Sequence, residues 1–477
     1  MNESKKFFVT TPIYYINDVP HIGHAYATFA ADILARYHQQ KGVETFLLTG
    51  SDENSQKTVE AAGKKNLPVE KYADVMAKTW QKTWRKLNIA DGKFGFVRTT
   101  TKKHEKFVQE IFQKIYDAGL IEQGTYKGLY CLGHEAFIKN EDLDEKGLCP
   151  DHKTKPEVLE EKNYFFKLKD FTDKLLVLYE ENKSFIEPPE RRNEVVSFVR
   201  RGLENVSISR ENAKWGIQVP FDKKQRIYVW FDALLSYYSG TPEKFWPADV
   251  HIIGKDILRF HAVIWPAMLM AADLPLPKKV FAHGFFTIDG QKISKSLGNA
   301  IDPIKIADEY GTDALRYFLF KEIPFGNDGD FSFDRLKEVY NADLANGLGN
   351  LIARVAKLVE KSGKNYSLRD LGDPYGKPNN DRERKIVEYI EKLYLKDVLD
   401  LIWVEISELD QAIDKEKPWA LLKSNPNKLY SFLQETIVKI QGISKLIKPF
   451  LPETAERIEK QFLQKNITSS AALFPRK

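Results

Sequence analysis

The chain has 477 residues, 43% hydrophobic and 29% charged, with a mild net charge of +5 in which basic and acidic residues are interleaved. That is the balance of a soluble globular protein with room for about three domains, open to transient contact with an anionic partner. Only Cys131 and Cys149 occur, which excludes a disulfide framework and suits a reducing cytoplasm. No apolar run approaches the ~20 residues that cross a bilayer, and the start, MNESKKFFVT, lacks the apolar core of a signal peptide.

Phe7–Thr11 reads as a short strand that Pro12 closes, because proline cannot continue a ladder. A turn-forming loop with Asn17, Asp18 and Pro20 follows. His21-Ile22-Gly23-His24 then opens a helical pattern with apolar or small faces at Tyr26, Phe29, Ala30, Ile33, Leu34 and Tyr37. Gly42 stands where a left-handed C-cap is expected. Strand, loop, His-x-Gly-His and helix in this order point to a phosphate site. A helix N-terminus offers unpaired N–H groups and partial positive charge to an anion. His21 and His24, three apart, share one face of the first turn, and both can donate to oxygens of a nucleoside triphosphate. Gly23, without a Cβ, lets a flat base lie close to the backbone. For the four residues alone, two satisfied histidines near a helix start would be an equal reading; their placement between strand and helix favours a nucleotide.

Glu44–Thr49 reads as a second strand running into Gly50-Ser51-Asp52-Glu53, and the alternation of strands and helices to about Lys86 calls for a parallel sheet. Ligands gather at the carboxyl ends of such strands, where Asp52 falls. Asp52 could equally cap a helix starting near Ser55. Between Tyr116 and Gly216 the rhythm changes to short strand-like pieces, Thr125–Cys131 and Asn163–Leu168, around a turn-rich segment. Two Cys-x-x-His pairs there, Cys131 with His134 and Cys149 with His152, could give two thiolates and two imidazoles to a tetrahedral zinc. A small lobe held by packing, with Cys131 an ordinary buried thiol, is the alternative.

The α/β rhythm returns at Arg226–Tyr238, then a strand Asp249–Ile253, Gly254-Lys255-Asp256, a helix Ile257 to Met270 and a strand Val280–His283. Beyond it lies a loop with Lys292, Ser294 and Lys295, which alone would be solvated surface. From about Asp334 strand signals vanish, and amphipathic helices follow, broken by Gly372–Asn380 and several prolines.

His21-Ile22-Gly23-His24 and, about 270 positions later, Lys292-Ile293-Ser294-Lys295-Ser296 resemble the paired signatures of class I aminoacyl-tRNA synthetases. Within that class the chain is similar to the methionyl-tRNA synthetase family over essentially its full length. Thr10–Tyr15, Gly50–Asn54, Tyr228–Leu234, Gly254–Ile257 and Asn350–Arg354 carry the likeness. Ile293 stands where the family often has methionine, a volume-conserving change.

The resemblance implies an α/β fold: a Rossmann-like parallel-sheet catalytic domain split by a connective-peptide insertion, followed by an all-α anticodon-binding helical bundle. The implied domains are a first catalytic half, 1–115, a connective lobe, 116–216, and a second catalytic half, 217–300. A linking stem-contact region, 301–335, and the bundle, 336–477, complete the chain. The implied reaction joins L-methionine to ATP as methionyl-adenylate, then passes methionine to the 3′ end of tRNA(Met). In it His21, His24, Lys292 and Lys295 are catalytic, and Gly23 and Ser294 join them around ATP with its Mg²⁺. Ile13, Tyr15, Trp230, Ala233, Leu234, Tyr237, Ile257 and His261 would wall the methionine slot, with Asp52 pairing the α-ammonium. Asn350, Arg354 and Trp419 would read the anticodon. His134 stands where the family commonly has cysteine, so a zinc on Cys131, His134, Cys149 and His152 would be structural.

A cytoplasmic monomer with no membrane association is expected, because no extra module of the kind that dimerises some relatives follows the bundle. Three rivals are weaker. The isoleucine, valine and leucine enzymes carry an editing domain too large for Tyr116–Gly216, and a cysteine-specific enzyme would place cysteine ligands in the pocket. A small-molecule nucleotidyltransferase has no need of the bundle. An inactive tRNA-binding protein would not keep His21, His24, Lys292 and Lys295.

Overall fold

A computed structural model describes residues 6–131, 136–138, 140–150, 153–211, 213–288, 290–292, 300–366, 372–464 and 466–477. Strands rich in Val, Ile, Leu and Phe are buried on both faces, a pattern that suits a parallel sheet covered by helices. Six of them form one wholly parallel sheet. Its order is Gly95–Arg98, Glu44–Asp52, Lys6–Tyr15, Val250–Gly254, Val280–His283 and Ile186–Glu187. The winding direction reverses between Lys6–Tyr15 and Val250–Gly254, where Val9 lies opposite Val250. A crevice at the carboxyl ends of the strands is expected at such a switch point.

The first strand does not stop at Pro12 but runs from Lys6 to Tyr15. Its register against Glu44–Asp52 shifts between Thr10 and Ile13, so the proline sits in a bulge where no ladder N–H is required. The second strand likewise extends past Thr49 to Asp52. The expected helix Ile257 to Met270 is three pieces: a 3-10 turn Lys255–Ile257, a π-helical stretch Phe260–Ile264 and an α-helix Trp265–Ala271.

Between the sheet halves lies an antiparallel sheet ordered Ala136–Ile138, Ile121–Cys131, Glu157–Phe166, Val206–Ser207. After Phe331 the described chain is helical, through Asn350–Ser362, Leu395–Glu416, Pro426–Ile447 and Pro452–Phe462. One hydrophobic core continues from the parallel sheet into this bundle, from Val9 and Phe29 to Leu446 and Phe462.

A buried charge cluster joins the two. Asp32, on the helix Ile22–Gln40, is fully buried, as is Arg316 on the helix Thr312–Glu322. Arg316 reaches Asp32 Oδ2 at 2.6 Å and donates to the carbonyls of Phe450 (2.7 Å) and Pro449 (2.9 Å), beyond the end of Pro426–Ile447. Asp313, one turn earlier, accepts from the backbone N–H of Thr454 in the first turn of Pro452–Phe462. Cation at one helix end and anion at the next helix start both match the helix dipoles. Asp32 also takes Arg36 Nε at 2.8 Å and the Ala90 N–H at 2.6 Å.

Removing one partner of such a pair strands the other charge in the interior, at a cost of about 3–5 kcal/mol. Asp32→Ala should therefore lower Tm steeply, and Asp32→Ala with Arg316→Met should recover part of the loss. Thermal melting of the three proteins checks this; a double variant no better than the single one would contradict it.

Candidate active site

The first turn of Ile22–Gln40 is closed by its own histidines. His21 is the N-cap residue, and its Nδ1 accepts from the Gly23 N–H at 3.1 Å. His24 Nδ1 accepts from the His21 N–H at 3.1 Å, completing a capping box made of imidazoles. The rings stack with centroids 3.7 Å apart. A backbone N–H on each Nδ1 places the proton of the neutral ring on Nε2, so both rings offer a donor at a helix N-terminus. Gly23 also matters to the packing of this turn. A Cβ there would come within 3.0 Å of His21 Cε1, so the missing side chain makes room for the neighbouring ring.

The second cluster is described at its flanks; the Lys292 side chain, Ser294 and Lys295 lie outside the described residues. Gln291–Lys292 pairs antiparallel with Phe286–Ile288, which directly follows Val280–His283 of the main sheet. The turn is held by Asp330, which accepts from the Gly290 N–H at 2.9 Å and from Thr287 Oγ1 at 2.5 Å. On the far side, the carbonyl of Ile301 accepts the N–H of Ile22 at 3.0 Å. The chain leaving the second cluster is thus tied to the first residue of the helix that carries the first.

Beside this end lies a small cavity lined by Pro12, Ile13, Tyr15, Asp52, Trp230, Ala233, Leu234, Tyr237 and His261. Four of these come from the helix Val229–Ser239. Ile257 does not line it; its carbonyl instead accepts from His261 Nδ1 at 2.9 Å. That bond leaves His261 Nε2 to accept the Tyr237 hydroxyl at 2.6 Å. Burial pushes the His261 imidazole down to about 4, and Tyr237 is raised by burial, then by the nearby Tyr14 and Asp52. The tyrosine is therefore a fixed neutral group. His251 beneath it accepts from Trp265 Nε1 and pairs with Thr10 Oγ1, and burial, then His261, keep it neutral. The π-helical stretch turns Phe260 onto Trp230, centroids 3.8 Å apart and 10° from parallel. Pro12 and Phe260 were absent from the expected wall. Adjacency to His261 was the one sequence signal for Phe260; Pro12 had none, since the bulge depends on strand pairing.

Asp52 ends the strand Glu44–Asp52 and is 4% exposed. It is no helix cap, because Ser55 takes that place through the Thr58 N–H. Glu53, also buried, accepts Arg98 Nε at 2.7 Å and Ser51 Oγ at 2.6 Å, which fixes the strand exit.

In the bundle, Asn350 opens the helix Asn350–Ser362 and is exposed, and Arg354 follows one turn later. Trp419 is 49% exposed on the short helix Pro418–Ser424, which packs against Asn350–Ser362. It is no core residue. Arg354 is held by Asp410 at 2.7 Å and Asp414 at 2.5 Å. In the connective lobe Cys131 and Cys149 are both buried. Among the described residues no group of three or more His, Cys, Asp or Glu is placed to hold a metal ion. His134 and His152, the other half of the expected set, lie outside them.

The family model for class I tRNA synthetases (M) matches residues 7–155 and 147–356. The methionine–tRNA ligase of Caldanaerobacter subterraneus subsp. tengcongensis is 43% identical over 96% of this chain and 74% of its own. That of Rickettsia felis is 44% identical over 95% of this chain and 91% of its own. The crystal structure of Mycobacterium tuberculosis methionyl-tRNA synthetase bound by methionyl-adenylate aligns with a TM-score of 0.91 at 35% identity, covering 99% of this chain and all of that one. The apo form of the same protein aligns at 0.83, with 33% identity over 100% and 99% of the two chains.

Histidines held neutral to about pH 4 refuse protons that the unfolded chain takes up below about 6.5. The stability this represents is full above about 6.5 and is lost as pH falls through the native values. Tm measured from pH 8 to 4 should therefore hold a plateau and then fall below about 6.5; a Tm level down to pH 4 would contradict the buried neutral histidines.

Proposed function

The chain belongs to the methionyl-tRNA synthetase family of the class I tRNA synthetases, and on that premise we infer that it is a methionine–tRNA ligase. A methionine carboxylate oxygen attacks the α-phosphorus of ATP, the α–β bond breaks, and pyrophosphate leaves. A hydroxyl of the tRNA's 3′-terminal adenosine then attacks the adenylate carbonyl and releases AMP. The observation that carries this reading is the meeting of three features at one end of the sheet. They are an imidazole-capped helix N-terminus, the flanks of the Lys292–Lys295 loop bound to it through Ile22 and Ile301, and an apolar slot beside both.

No covalent enzyme intermediate is required, so rate comes from position and charge. The Nε2–H groups of His21 and His24 donate to phosphate oxygens as charge builds on the five-coordinate α-phosphorus. Lys292 and Lys295, with Ser294, cover the β- and γ-phosphates; Mg²⁺ travels with ATP as part of the substrate. The methionine side chain lies against Ile13, Ala233, Leu234 and Trp230, with Ile257 acting through the His261 it orients. The Tyr15 hydroxyl faces the weakly accepting sulfur, while Tyr237, its proton held by His261, completes the wall. Asp52 takes the α-ammonium.

Exposed Trp419, on a helix packed against the one that bears Asn350 and Arg354, supports anticodon reading, by stacking on a splayed base and hydrogen-bonding its edges. Asp410 and Asp414 hold Arg354 in one pose until an RNA base competes for it. A zinc in the connective lobe is supported by the turn at Cys149, whose N–H meets the Thr154 carbonyl and whose carbonyl takes the Lys153 N–H beside a buried thiol. Cys131, His134, Cys149 and His152 would hold the ion, which would brace the lobe. Domain limits at 115, 216, 300 and 335, a cytoplasmic location and a monomer complete the proposal; no helix of the described residues is long and apolar enough to cross a membrane.

ATP–pyrophosphate exchange with each amino acid in turn should respond to methionine above all others, and Trp419→Ala should leave that exchange intact while cutting tRNA charging at least about tenfold. Exchange that prefers another amino acid would overturn the substrate, and unchanged charging by folded Trp419→Ala would overturn the anticodon role.

A further inference from the structure

Behind the slot, and outside its lining, a second carboxylate is sealed in the interior. Asp232 stands on the helix Val229–Ser239 between residues that do line the slot, and it is fully buried. Its Oδ1 lies 2.5 Å from His104 Nε2, and its Oδ2 accepts from Asn54 Nδ2 at 2.7 Å. A carboxylate only accepts, so His104 Nε2 carries the proton. His104 comes from the helix Lys102–Asp117 and is 1% exposed. Its Nδ1 is 2.7 Å from Ser239 Oγ, at the far end of the same helix that bears Asp232. Asn54 also donates to the Thr99 carbonyl at 3.1 Å, and it follows Asp52 by two residues.

We propose that Asp232, gripped by His104 and Asn54, is a positioning residue for the amino-acid slot: it sets the spacing between the Trp230–Ala233 wall and the Asp52 wall, and so how sharply side-chain length is judged. The inference rests on the slot being the methionine site. Stability alone does not call for this arrangement, because a buried carboxylate with its partners contributes no more than well-packed apolar side chains of similar volume. What it adds is direction. Apolar contacts tolerate small slips of one element past another, whereas hydrogen bonds to both carboxylate oxygens weaken steeply when length or angle changes. The Asp232 oxygens face two different elements, one leading to each side of the slot. Asn54 fixes the exit of the strand that presents Asp52. His104, bonded near both ends of the slot helix, fixes the rotation that aims Trp230 and Ala233 inward.

One methylene in an apolar pocket separates substrates by roughly 10–200-fold, and that margin depends on walls that do not give. His104→Gln and Asp232→Asn, assayed by pyrophosphate exchange, should raise KM for methionine about tenfold and leave KM for ATP within about twofold. The kcat/KM preference for methionine over ethionine, which is one methylene longer, should fall at least about fivefold in both. Asn54→Ala should shift the same two quantities, and its combination with His104→Gln should be non-additive because both act through one carboxylate. Should either buried variant fail to fold, Ser239→Ala, which removes only the outer contact of His104, should move both quantities in the same direction by a smaller factor.

Equal changes in the two KM values, or a reduced active fraction with the methionine-to-ethionine ratio intact, would show a merely structural role and overturn the inference. So would a Ser239→Ala protein indistinguishable from wild type, if the buried variants do not fold. Wild-type protein without methionine-dependent exchange would overturn the functional reading and this inference together. An active wild type with folded variants of unchanged discrimination overturns this inference alone.

Discussion

A single helix end governs the geometry of this protein. The N-terminus of Ile22–Gln40 must point into the crevice with its partial positive charge directed at an anion, and it is fixed from three directions. The bulged strand Lys6–Tyr15 delivers it from below. The Ile301 carbonyl takes its first N–H and so brings the second signature's flank alongside. In its middle, Asp32 binds Arg316, whose other contacts clasp the turn between two bundle helices. Rotation of the bundle against the sheet would break charged contacts in a dry interior, where an unpaired charge costs several kcal/mol. The bundle and the sheet are thereby built on one rigid connection.

The same economy appears in the slot, where neutral groups are kept neutral by burial. Tyr237 with His261, and His251 beside them, have each proton in a determined place, since Trp265 can only donate and the Ile257 carbonyl can only accept. Such a wall offers oriented dipoles and no net charge, which suits a thioether. Charge enters at the rim through Asp52, whose strand exit is braced by the Glu53–Arg98 pair.

Much of this was legible in the sequence, for reasons that differ by element. His21 and His24 could be placed because the helix period and the strand before it fix where a third-residue pair must fall. The parallel sheet followed from alternating apolar strands and helices, and the bundle from the loss of strand signals after Asp334. Eight of the nine residues around the slot were expected there, because blocks such as Tyr228–Leu234 carry their own likeness to a family. What failed depended on partners distant in sequence. Pro12 reads as a strand breaker until its neighbour strand is seen to shift register around it. A helical pattern from Ile257 to Met270 gives no warning of the π-helical turn that lays Phe260 on Trp230.

The account stands on one joint ligand bridging slot and helix end. Thermal melting with a non-hydrolysable methionyl-adenylate analogue measures that bridge directly, because a ligand that fills both sites at once is stabilised beyond its separate halves. The predicted result is a rise in Tm well above that given by methionine and AMP added together at the same concentrations, and absent for the leucyl counterpart. A rise no greater than that of AMP alone would mean that the slot and the histidine-capped helix do not serve one reaction.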